Sequence, residues 1–254
     1  MVLVSMKISI ITICYNSAET IGDTISSVAS QDYPNIEYII VDGGSDDGTV
    51  ETIKLCEEKI SHWISEPDDG LYDAMNKGLA MASGDIVGFL HADDVYADEG
   101  VLTSVAREIA SGGLDALLGD VEFFSQGMPN KSVRRYRSEY FRPERIAWGW
   151  MPAHPALFLK RKVYDHFGGF RIDYQIAGDF EFVARIFKDG WVKYGYFPEV
   201  LVRMRTGGVS TGGWRSTIQL NREVMRACRE NDIKTNLLKI MSKYPLKIME
   251  FFWK

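Results

Sequence analysis

Two adjacent carboxylates, Asp93 and Asp94, lie just beyond the apolar segment 86–90, separated from it by His91 and Ala92. A short apolar run is typical of a buried strand in a parallel sheet, where ligands bind beyond the carboxyl ends of the strands. Two acids at that edge repel each other unless a cation or several donors hold them. A divalent cation between the acids and a diphosphate would do so, because hard cations take oxygen ligands from both. The alternative is that an Asp caps the helix expected from near residue 100.

Polar side chains also follow the other strands expected in the first half of the chain. They are Thr12, Tyr15, Asn16, Asp42 and Asp68. The carboxyl ends of parallel strands meet at one edge of a sheet, so this set is predicted to converge with the two acids. An aromatic ring, a carboxylate for a base or ribose, and acids that hold a metal on phosphates suit a nucleoside diphosphate. A Rossmann dehydrogenase would need a glycine-rich sequence after the first strand, and residues 14–18 (CYNSA) contain none.

Strands and helices alternate regularly through the first hundred residues. The predicted strands are 7–13, 38–41, 62–64 and 86–90, and the helices between them are 20–30, one from 49, and 71–82. This alternation predicts an α/β fold with a doubly wound, mostly parallel sheet. The pattern changes after residue 115, to a strand at 115–124, a polar loop around 127–130, a basic aromatic stretch at 131–145, a strand at 156–159, and helices at 161–167, from 179, and at 214–231.

The composition is that of an ordinary globular protein. The chain has 254 residues, of which 46% are hydrophobic and 25% charged, and its net charge of −6 argues against a general nucleic-acid binder. Its length suits one large α/β domain, alone or with a small appendage. Cys14, Cys56 and Cys228 lack zinc-site spacing and indicate buried thiols in a reducing compartment. The apolar run 8–13 is too short to span a bilayer, so a cytoplasmic location is predicted.

Four segments in the first hundred residues, and two later ones, carry a family resemblance. They are SIITICYN at 9–16, VDGGSDDGT at 41–49, EPDDGLYDAMNKG at 66–78, FLHADD at 89–94, AGDFEF at 177–182 and GGVS at 207–210. Together they resemble the family 2 glycosyltransferases with the GT-A fold, in particular bacterial exopolysaccharide and O-antigen enzymes. The resemblance implies transfer of a sugar from a nucleotide-sugar donor, usually a UDP-sugar, with inversion at the anomeric carbon and with Mn²⁺ or Mg²⁺ as cofactor.

The resemblance also implies roles for individual residues at the donor site. Residues that match nucleotide-sugar-binding positions, or lie beside them, are Thr12, Tyr15, Asn16, Asp42, Asp68, Lys77 and Asp93. Tyr15 could instead pack on the sheet edge, Asp68 could close an Asx turn, and Lys77 could be an ordinary solvated lysine. Asp94 matches the last acid of the family's metal-binding motif and is predicted to ligate the metal. His91 stands where that motif has its first acid, which leaves open whether it joins the metal or only packs.

Asp179 matches the family's catalytic base, which takes the proton from the acceptor hydroxyl. A carboxylate in a desolvated cleft suits this role because burial raises its pKa. The alternative is that Asp179 caps the helix that follows, and Glu181 is the weaker candidate for the base. His154 is predicted either to touch the acceptor or leaving diphosphate or to be structural. Arg205 lies just before a glycine-rich loop and Ser210 lies within it, and both are predicted to face the diphosphate.

The resemblance divides the chain into a catalytic region, 1–213, and a C-terminal helical segment, 214–254. Within the first, residues 1–115 are expected to bind the nucleotide sugar and residues 116–213 the acceptor. The segment 233–254 contains five lysines, one glutamate and a terminal Phe-Phe-Trp motif. A basic amphipathic segment of this kind suits an anionic membrane surface, and the alternative is a helix docked on the catalytic region. The basic stretch 131–145 could likewise meet a lipid-linked diphosphate or be a solvated loop.

These observations predict a metal-dependent inverting glycosyltransferase that extends a bacterial surface glycan, with a glycan or lipid-linked saccharide as acceptor and a place on the cytoplasmic face of the inner membrane. Two alternatives stay open. A nucleotidyltransferase that makes nucleotide-sugars has a similar fold and similar acids, but it would need a basic glycine-rich loop after the first strand. A non-catalytic sugar-nucleotide-binding subunit would not need both Asp94 and Asp179.

Overall fold

Alternating strands and helices build a single mixed sheet. A computed structural model describes residues 6–125, 128–206 and 214–242. In these ranges the strands are β1 (Ile8–Cys14), β2 (Ile36–Asp42), β3 (His62–Ser65), β4 (Ile86–Phe89), β5 (Val95–Tyr96), β6 (Ala116–Ser125), β7 (Met128–Tyr136), β8 (Leu157–Lys160) and β9 (Tyr194–Arg205). The α-helices are α1 (Ile21–Ala29), α2 (Thr49–Leu55), α3 (Leu71–Met81), α4 (Val101–Gly112), α5 (Arg161–Phe167), α6 (Gly178–Phe187), α7 (Trp214–Glu230) and α8 (Leu237–Met241).

The strand order places the expected loops at one edge of the sheet. The order is β3-β2-β1-β4-β8-β6-β9-β5, and β7 pairs with β6. The first four strands in this order are parallel, and Cys14, Asp42 and Ser65 are aligned at their carboxyl ends. β8 pairs antiparallel with both β4 and β6 and so joins the two halves of the chain. The predicted α/β class with a mostly parallel sheet is confirmed.

Helices cover both faces of the sheet, because the strands are apolar on both sides. On one face α1, α2 and α4 pack through residues such as Ile25, Ile53 and Leu102. On the other face α3, α5 and α6 pack, and Val224 and Ile240 bring α7 and α8 into the same apolar core. The described part of the C-terminal segment is therefore docked on the sheet. Within the described residues, no helix combines the length and the apolar character that a membrane span requires.

The second half of the chain departs from the prediction in two places. The polar loop expected around 127–130 and the start of the basic stretch 131–145 instead form β7, which the short 3-10 helices Ser138–Tyr140 and Pro143–Trp148 follow. β9 was not predicted at all. It contains Pro198 and no long apolar run, features that argue against a strand in sequence. Its pairing with β6 and β5 supplies the stabilisation that its own sequence does not indicate.

Candidate functional site

Three loops meet at the carboxyl edge of β1, β2 and β3 around Gly43. A Cβ atom at Gly43 would lie 2.5 Å from Asp68 Oδ2 and 3.4 Å from the Tyr15 ring, so only glycine allows this approach. The Tyr15 side chain is 65% exposed. Asp68 Oδ1 accepts a hydrogen bond from the Gly70 N–H at 2.9 Å, which is the predicted turn, while Oδ2 faces Gly43. An exposed ring and a carboxylate thus meet at Gly43, and a planar base could stack on the ring and pair with the carboxylate.

Asp42 stabilises the loop after β2 at this edge of the sheet. Its carboxylate is fully buried, and Oδ2 accepts hydrogen bonds from the Gly44 and Ser45 N–H groups and from Ser65 Oγ at 3.1, 3.0 and 2.7 Å. These bonds lower the pKa of Asp42, although burial alone would raise it. A ribose could reach the Asp42 carboxylate only by replacing some of these internal donors. The carboxylate in this structure holds the loop after β2.

Three other predicted donor-site residues make internal contacts. Thr12 is fully buried in the sheet, where its hydroxyl lies 3.0 Å from the Tyr38 hydroxyl, so it does not face the cleft. Asn16 accepts a hydrogen bond from the Asp46 N–H and joins the loops after β1 and β2. Lys77 Nζ donates to the Pro67 carbonyl at 2.9 Å and pairs with Glu66 and Asp73. Its charge therefore supports the loop before α3.

Asp94 is buried in the loop after β4, and its carboxylate lacks hydrogen-bond donors among the described residues. Its N–H donates to the His91 carbonyl, and its own carbonyl accepts from Thr24 Oγ1 at 2.8 Å, so the backbone is fixed. The side chain is 1% exposed, and among the described residues neither of its carboxylate oxygens has a hydrogen-bond partner. Burial raises the pKa of Asp94 well above its usual value, and the charge of Asp93 adds to this. Such an arrangement is unfavourable unless a cation or a proton neutralises the carboxylate.

The carboxylates of Asp93 and Asp94 fit a metal ion that takes only some of its ligands from the protein. Asp93 is half-buried beside Asp94. In the described ranges no three His, Cys, Asp or Glu side chains are grouped as a closed cation site. Hard divalent cations accept a shell of one or two carboxylates, water and substrate phosphates. Asp94, with Asp93 beside it, therefore fits Mg²⁺ or Mn²⁺ bound together with a diphosphate.

Arg205 brings positive charge to the same edge from the end of β9. Its charge acts on Asp94 and partly opposes the rise of that pKa. The guanidinium pairs with Asp23 of α1 and lies 5.2 Å from the centroid of the Phe124 ring. Among the described residues, its Nε–H is buried and has no acceptor. A diphosphate oxygen would satisfy that donor. Ser210, the other residue predicted on this loop, lies outside the described residues.

His91 and His154 stack at the floor of the cleft. Their ring centroids are 6.2 Å apart, and the His154 ring also contacts Phe89 and Phe170 at 5.6 and 5.7 Å. Burial, together with the neighbouring His91, lowers the pKa of His154 to about 3, and burial lowers that of His91 as well. Both imidazoles are therefore neutral near pH 7. In this state each ring offers one donor and one acceptor.

An aromatic floor, formed by Phe89, His154, Phe170 and Tyr72, continues from these histidines towards α6. Phe170 lies 5.4 Å from Phe89 and 6.1 Å from Tyr72, measured between ring centroids. Asn76 of α3 fixes Phe170 through two hydrogen bonds of 2.8 Å, one to its N–H and one to its carbonyl. Sequence reasoning did not identify Tyr72, Asn76 or Phe170. Phe170 carries no motif signal, and only the position of the other two inside the segment 66–78 could have drawn attention to them.

Asp179 lies at the α6 end of this floor. Its Oδ1 accepts from the Phe180 N–H at 2.7 Å and lies 3.5 Å from the Tyr72 hydroxyl, which donates to the Ile176 carbonyl. Ala177 occupies the N-cap position, so the alternative that Asp179 itself is the N-cap is wrong. Burial raises the pKa of Asp179 to about 6. A carboxylate of this pKa is mostly ionised at pH 7 and still basic enough to accept a proton.

Glu181, the weaker candidate for the base, and Asp120, a second buried acid, both make other interactions. Glu181 is buried in a salt bridge with Arg185 and accepts a hydrogen bond from Asn231. Asp120 is fully buried and accepts hydrogen bonds from Arg135 Nε and from the Ser138 N–H, both at 2.9 Å. Both carboxylates stabilise the packing of elements against each other. Among these three acids, Asp179 alone is partly exposed, whereas Glu181 and Asp120 are buried.

Known proteins share this arrangement in sequence. The pattern of Glycosyl transferase family 2 matches residues 9–187. An uncharacterized glycosyltransferase of Mycobacterium tuberculosis is 34% identical over 195 residues, which cover 70% of this chain and 68% of that protein. The PGL/p-HBAD biosynthesis glycosyltransferase of Mycobacterium bovis is 30% identical over 207 residues, which cover 80% and 78% of the two chains.

Solved structures share the fold at low identity. S. aureus TarS 1-349 in complex with UDP-GlcNAc superposes with a TM-score of 0.68 and 20% identity, over 91% of this chain and 68% of that one. The chain spans 41% of the longer TarS structure. The mannosyltransferase PcManGT from Pyrobaculum calidifontis, in complex with GDP-Man and Mn2+, gives a TM-score of 0.64 and 21% identity, over 87% and 64% of the chains. The chain therefore belongs to glycosyltransferase family 2, and it is a glycosyltransferase of the GT-A fold.

Proposed function

We propose that this glycosyltransferase moves one sugar, with inversion, from a UDP-sugar to a lipid-linked glycan during synthesis of a bacterial surface polysaccharide. The observation that carries the proposal is the buried Asp94 carboxylate, which has no partner among the described residues and lies at the edge where nucleotides bind to such sheets. The neighbours that bind UDP-GlcNAc and GDP-Man support a nucleotide-sugar donor. The relative named as a PGL/p-HBAD biosynthesis glycosyltransferase supports a role in the synthesis of a glycosylated bacterial product.

The donor is held by residues from several loops. The uracil lies against the exposed Tyr15 ring and meets the Asp68 carboxylate, and Asp42 keeps the loop after β2 in shape. Asp94, with Asp93, would hold Mg²⁺ or Mn²⁺. When bound, this ion offsets the negative charge that develops on the leaving diphosphate. Arg205, whose Nε–H is unpaired in the described structure, donates to a diphosphate oxygen. Neutral His154 and His91 line the floor and exclude water from the reacting centre.

Asp179 acts as the base in a single displacement. Its carboxylate takes the proton from the acceptor hydroxyl while that oxygen forms a bond to the anomeric carbon. The bond from that carbon to the diphosphate oxygen breaks at the same time, and the diphosphate leaves with the electron pair. Attack from the face opposite the leaving group inverts the configuration. Burial keeps Asp179 in a desolvated place and maintains its basicity, which the hydrogen bond from the Tyr72 hydroxyl partly opposes.

An exposed surface on the C-terminal helices supports the lipid-linked acceptor. We define it as the apolar–basic face. It consists of Arg145, Trp148, Ile218, Arg222, Met225, Lys234, Leu237, Leu238, Lys239 and Met241. The Leu238 side chain is 82% exposed. Lys239 Nζ lies 5.4 Å from the centroid of the Trp148 ring, which joins α8 to the 3-10 helix Pro143–Trp148. Exposed apolar side chains among cations match the headgroup region of an anionic membrane.

The docked helix and the membrane contact are compatible, because α7 and α8 bury one side and expose the other. We therefore place the enzyme at the cytoplasmic face of the membrane. The last part of the predicted tail, residues 243–254, lies outside the described residues.

A screen of nucleotide-sugars tests the donor. Purified protein is incubated with UDP-, GDP- and dTDP-sugars, with and without Mn²⁺, and release of nucleoside diphosphate is measured, with and without lipid extract as acceptor. We expect cation-dependent release of UDP that increases when acceptor is present. Formation of a nucleotide-sugar from a sugar phosphate and a nucleoside triphosphate would support the nucleotidyltransferase alternative. Tight UDP binding without any turnover in the presence of acceptors would support the non-catalytic alternative.

A further inference from the structure

Glu223, in the middle of α7, makes three hydrogen bonds to the backbone in front of α6. The Ile176 and Ala177 N–H groups donate to its Oε2 at 2.9 and 2.8 Å, and the Gln175 N–H donates to its Oε1 at 3.1 Å. These bonds lower the pKa of Glu223, although its burial alone would raise it. One ionised carboxylate therefore binds three consecutive N–H groups of a segment 46 to 48 residues earlier in the chain.

These N–H groups lie in the segment that leads directly into the helix that carries Asp179, and Ala177 is the N-cap of that helix. The first N–H groups of a helix have no partner within the helix, and α6 has no side-chain cap of its own. Glu223, from another helix, accepts the N–H of the N-cap residue and those of the two residues before it. On the opposite side, the Tyr72 hydroxyl of α3 donates to the Ile176 carbonyl at 2.8 Å. The peptide unit three residues before Asp179 is thus held by α3 and α7 together.

Gly178 packs closely against Tyr72. A Cβ atom at Gly178 would lie 2.7 Å from the Tyr72 ring, so the backbone between residues 175–177 and Asp179 lies directly on that ring. A small movement of residues 175–177 would therefore be transmitted to the position of Asp179. Interactions that fix a reacting group within about 1 Å are worth on the order of a hundredfold in rate.

We propose that Glu223 is a positioning residue for catalysis, and that α7 fixes the geometry of the base through it. The inference rests on the proposed function, in which Asp179 is the base. Among the described residues, the titratable side chains that act on Asp179 from neighbouring elements are Tyr72 of α3 and Glu223 of α7. The negative charge of Glu223 disfavours the ionised form of Asp179 and so adds to its basicity.

The attachment of α7 does not depend on Glu223 alone. Glu230, seven residues further on the same helix, binds Arg171 and Arg226 and accepts a hydrogen bond from Tyr174. Val224 and Cys228 pack in the core below. Removal of the Glu223 charge should leave the helix in place. Glu230 is a matched control, because it is an ionised glutamate on the same helix whose partners are side chains, not the backbone at the start of α6.

The test compares Glu223→Gln with Glu230→Gln in the full-length protein, by steady-state kinetics over pH 5–8. A neutral amide has one acceptor oxygen and cannot accept all three N–H groups. For Glu223→Gln we expect a kcat about 10- to 100-fold lower, a donor KM within about twofold of the wild type, and a melting temperature close to that of Glu230→Gln. The acidic limb of the kcat profile should shift to lower pH, which a purely structural change would not cause. Glu230→Gln should keep the wild-type kcat and the wild-type position of the acidic limb in the pH profile of kcat.

Glu223→Asp separates position from charge. It keeps the charge on a shorter side chain, so kcat should fall while the acidic limb stays in place. This variant also serves if Glu223→Gln melts below the assay temperature. Wild-type kcat in Glu223→Gln, or equal losses in Glu223→Gln and Glu230→Gln, would overturn the proposal. Asp179→Asn, assayed in parallel, keeps the two proposals apart. Transfer by Asp179→Asn at the normal rate would refute the base, whereas its collapse beside a fully active Glu223→Gln would refute only the positioning role.

Discussion

At the scale of single residues, two carboxylates of the candidate site are in environments that disfavour their ionised form, and each has a different proposed role. Asp94 is buried without a donor among the described residues, and Asp179 is half-buried with a pKa raised to about 6. Asp42, in contrast, is buried with a full set of donors and a lowered pKa. A carboxylate that only supports a fold is satisfied, as Asp42 is. Unsatisfied or strongly shifted ones mark places where a ligand or a proton is expected.

Replacement of Asp179 by Asn should abolish transfer without loss of stability. The amide oxygen can still accept from the Phe180 N–H, but the side chain can no longer take a proton. We expect kcat to fall by about 10² to 10⁴, with nearly unchanged affinity for UDP. The raised pKa means that the ionised carboxylate costs stability above pH 4, and fully so above pH 6. The melting temperature at pH 7.5 should therefore be equal or higher, as measured by calorimetry.

The wild-type kcat should rise with pH through an apparent pKa near 6, since only ionised Asp179 accepts a proton. Residual activity of the Asn variant should lack this limb. An early-melting Asn variant that transfers sugar at the normal rate would show that Asp179 is structural. The base would then have to be another group near the acceptor, such as His154.

Replacement of Asp94 by Asn should remove the effect of the cation on stability. In wild-type protein with UDP, Mn²⁺ should raise the melting temperature because it binds only the folded state. The amide is a poor ligand for a hard cation, so Asp94→Asn should show no such increase. In EDTA this variant should melt at an equal or higher temperature, because a buried unpaired acid has been removed. Asp98→Asn, in the exposed loop before α4, is the control and should keep the Mn²⁺ response. An unchanged response in Asp94→Asn would exclude Asp94 as a ligand.

At the scale of elements, the donor edge depends on three loops that meet at Gly43. The sequence predicted this edge because each loop follows an apolar strand and carries turn residues, and β1 to β4 lie close to the predicted ranges. It did not predict which polar side chains the loops use for themselves. Thr12 and Lys77 look like ligands in sequence, and they become core and ion-pair residues only once their distant partners, Tyr38 and Glu66, are placed.

Gly43→Ala should weaken nucleotide binding with little effect on stability. The new methyl group would meet Asp68 Oδ2 at 2.5 Å and push apart the loops that carry Asp68 and Tyr15. We expect UDP affinity, measured by calorimetry with Mn²⁺ present, to fall by about tenfold or more, a loss of at least ~1.4 kcal/mol. Gly22→Ala in α1 is the control, because its methyl group would make an ordinary contact of 3.7 Å with Thr52. Equal UDP affinity in the two variants would mean that the base does not bind at this edge.

The second half of the chain was less predictable because its elements depend on long-range pairing. β9 has no apolar run of its own and is stabilised by β6 and β5. Glu223 lies on an ordinary amphipathic helix, and nothing near it in sequence indicates that its carboxylate binds residues 175–177. Asp179 could be predicted only because its motif resembles that of a family.

At the scale of the whole molecule, the charges are unevenly distributed. The protein carries a net charge of −6, yet the apolar–basic face presents Arg145, Arg222, Lys234 and Lys239 around exposed apolar side chains. The face is built by α7, α8 and one 3-10 helix, and α7 also holds the start of α6 through Glu223. One helix thus contributes both to the proposed membrane contact and to the proposed positioning of the base.

Leu238→Glu should release the protein from anionic vesicles while donor hydrolysis stays unchanged. The substitution places a negative charge in the centre of the apolar–basic face, where the side chain is 82% exposed and packing is not disturbed. Leu55→Glu in α2 is the matched control, because Leu55 is 85% exposed on the other side of the sheet. Sedimentation with phosphatidylglycerol vesicles at low salt should retain the wild type and Leu55→Glu, and lose Leu238→Glu. If the wild type does not sediment, or if both variants lose binding equally, this face is not a membrane contact.

The place of β8 in the sheet has a consequence for synthesis of the chain. β4 pairs on one side with β1 and on the other with β8. The ribosome makes β8 roughly 70 residues after β4, and at the usual rates of protein synthesis this delay is on the order of ten seconds. During that interval the nascent nucleotide-binding half has an open, apolar strand edge, the kind that recruits chaperones or aggregates. A fragment that ends near residue 115 would keep this edge permanently. The two halves therefore depend on each other in folding, and hybrid enzymes that exchange residues 116–213 should fold only when β8 of the new half fits β4 of the old one.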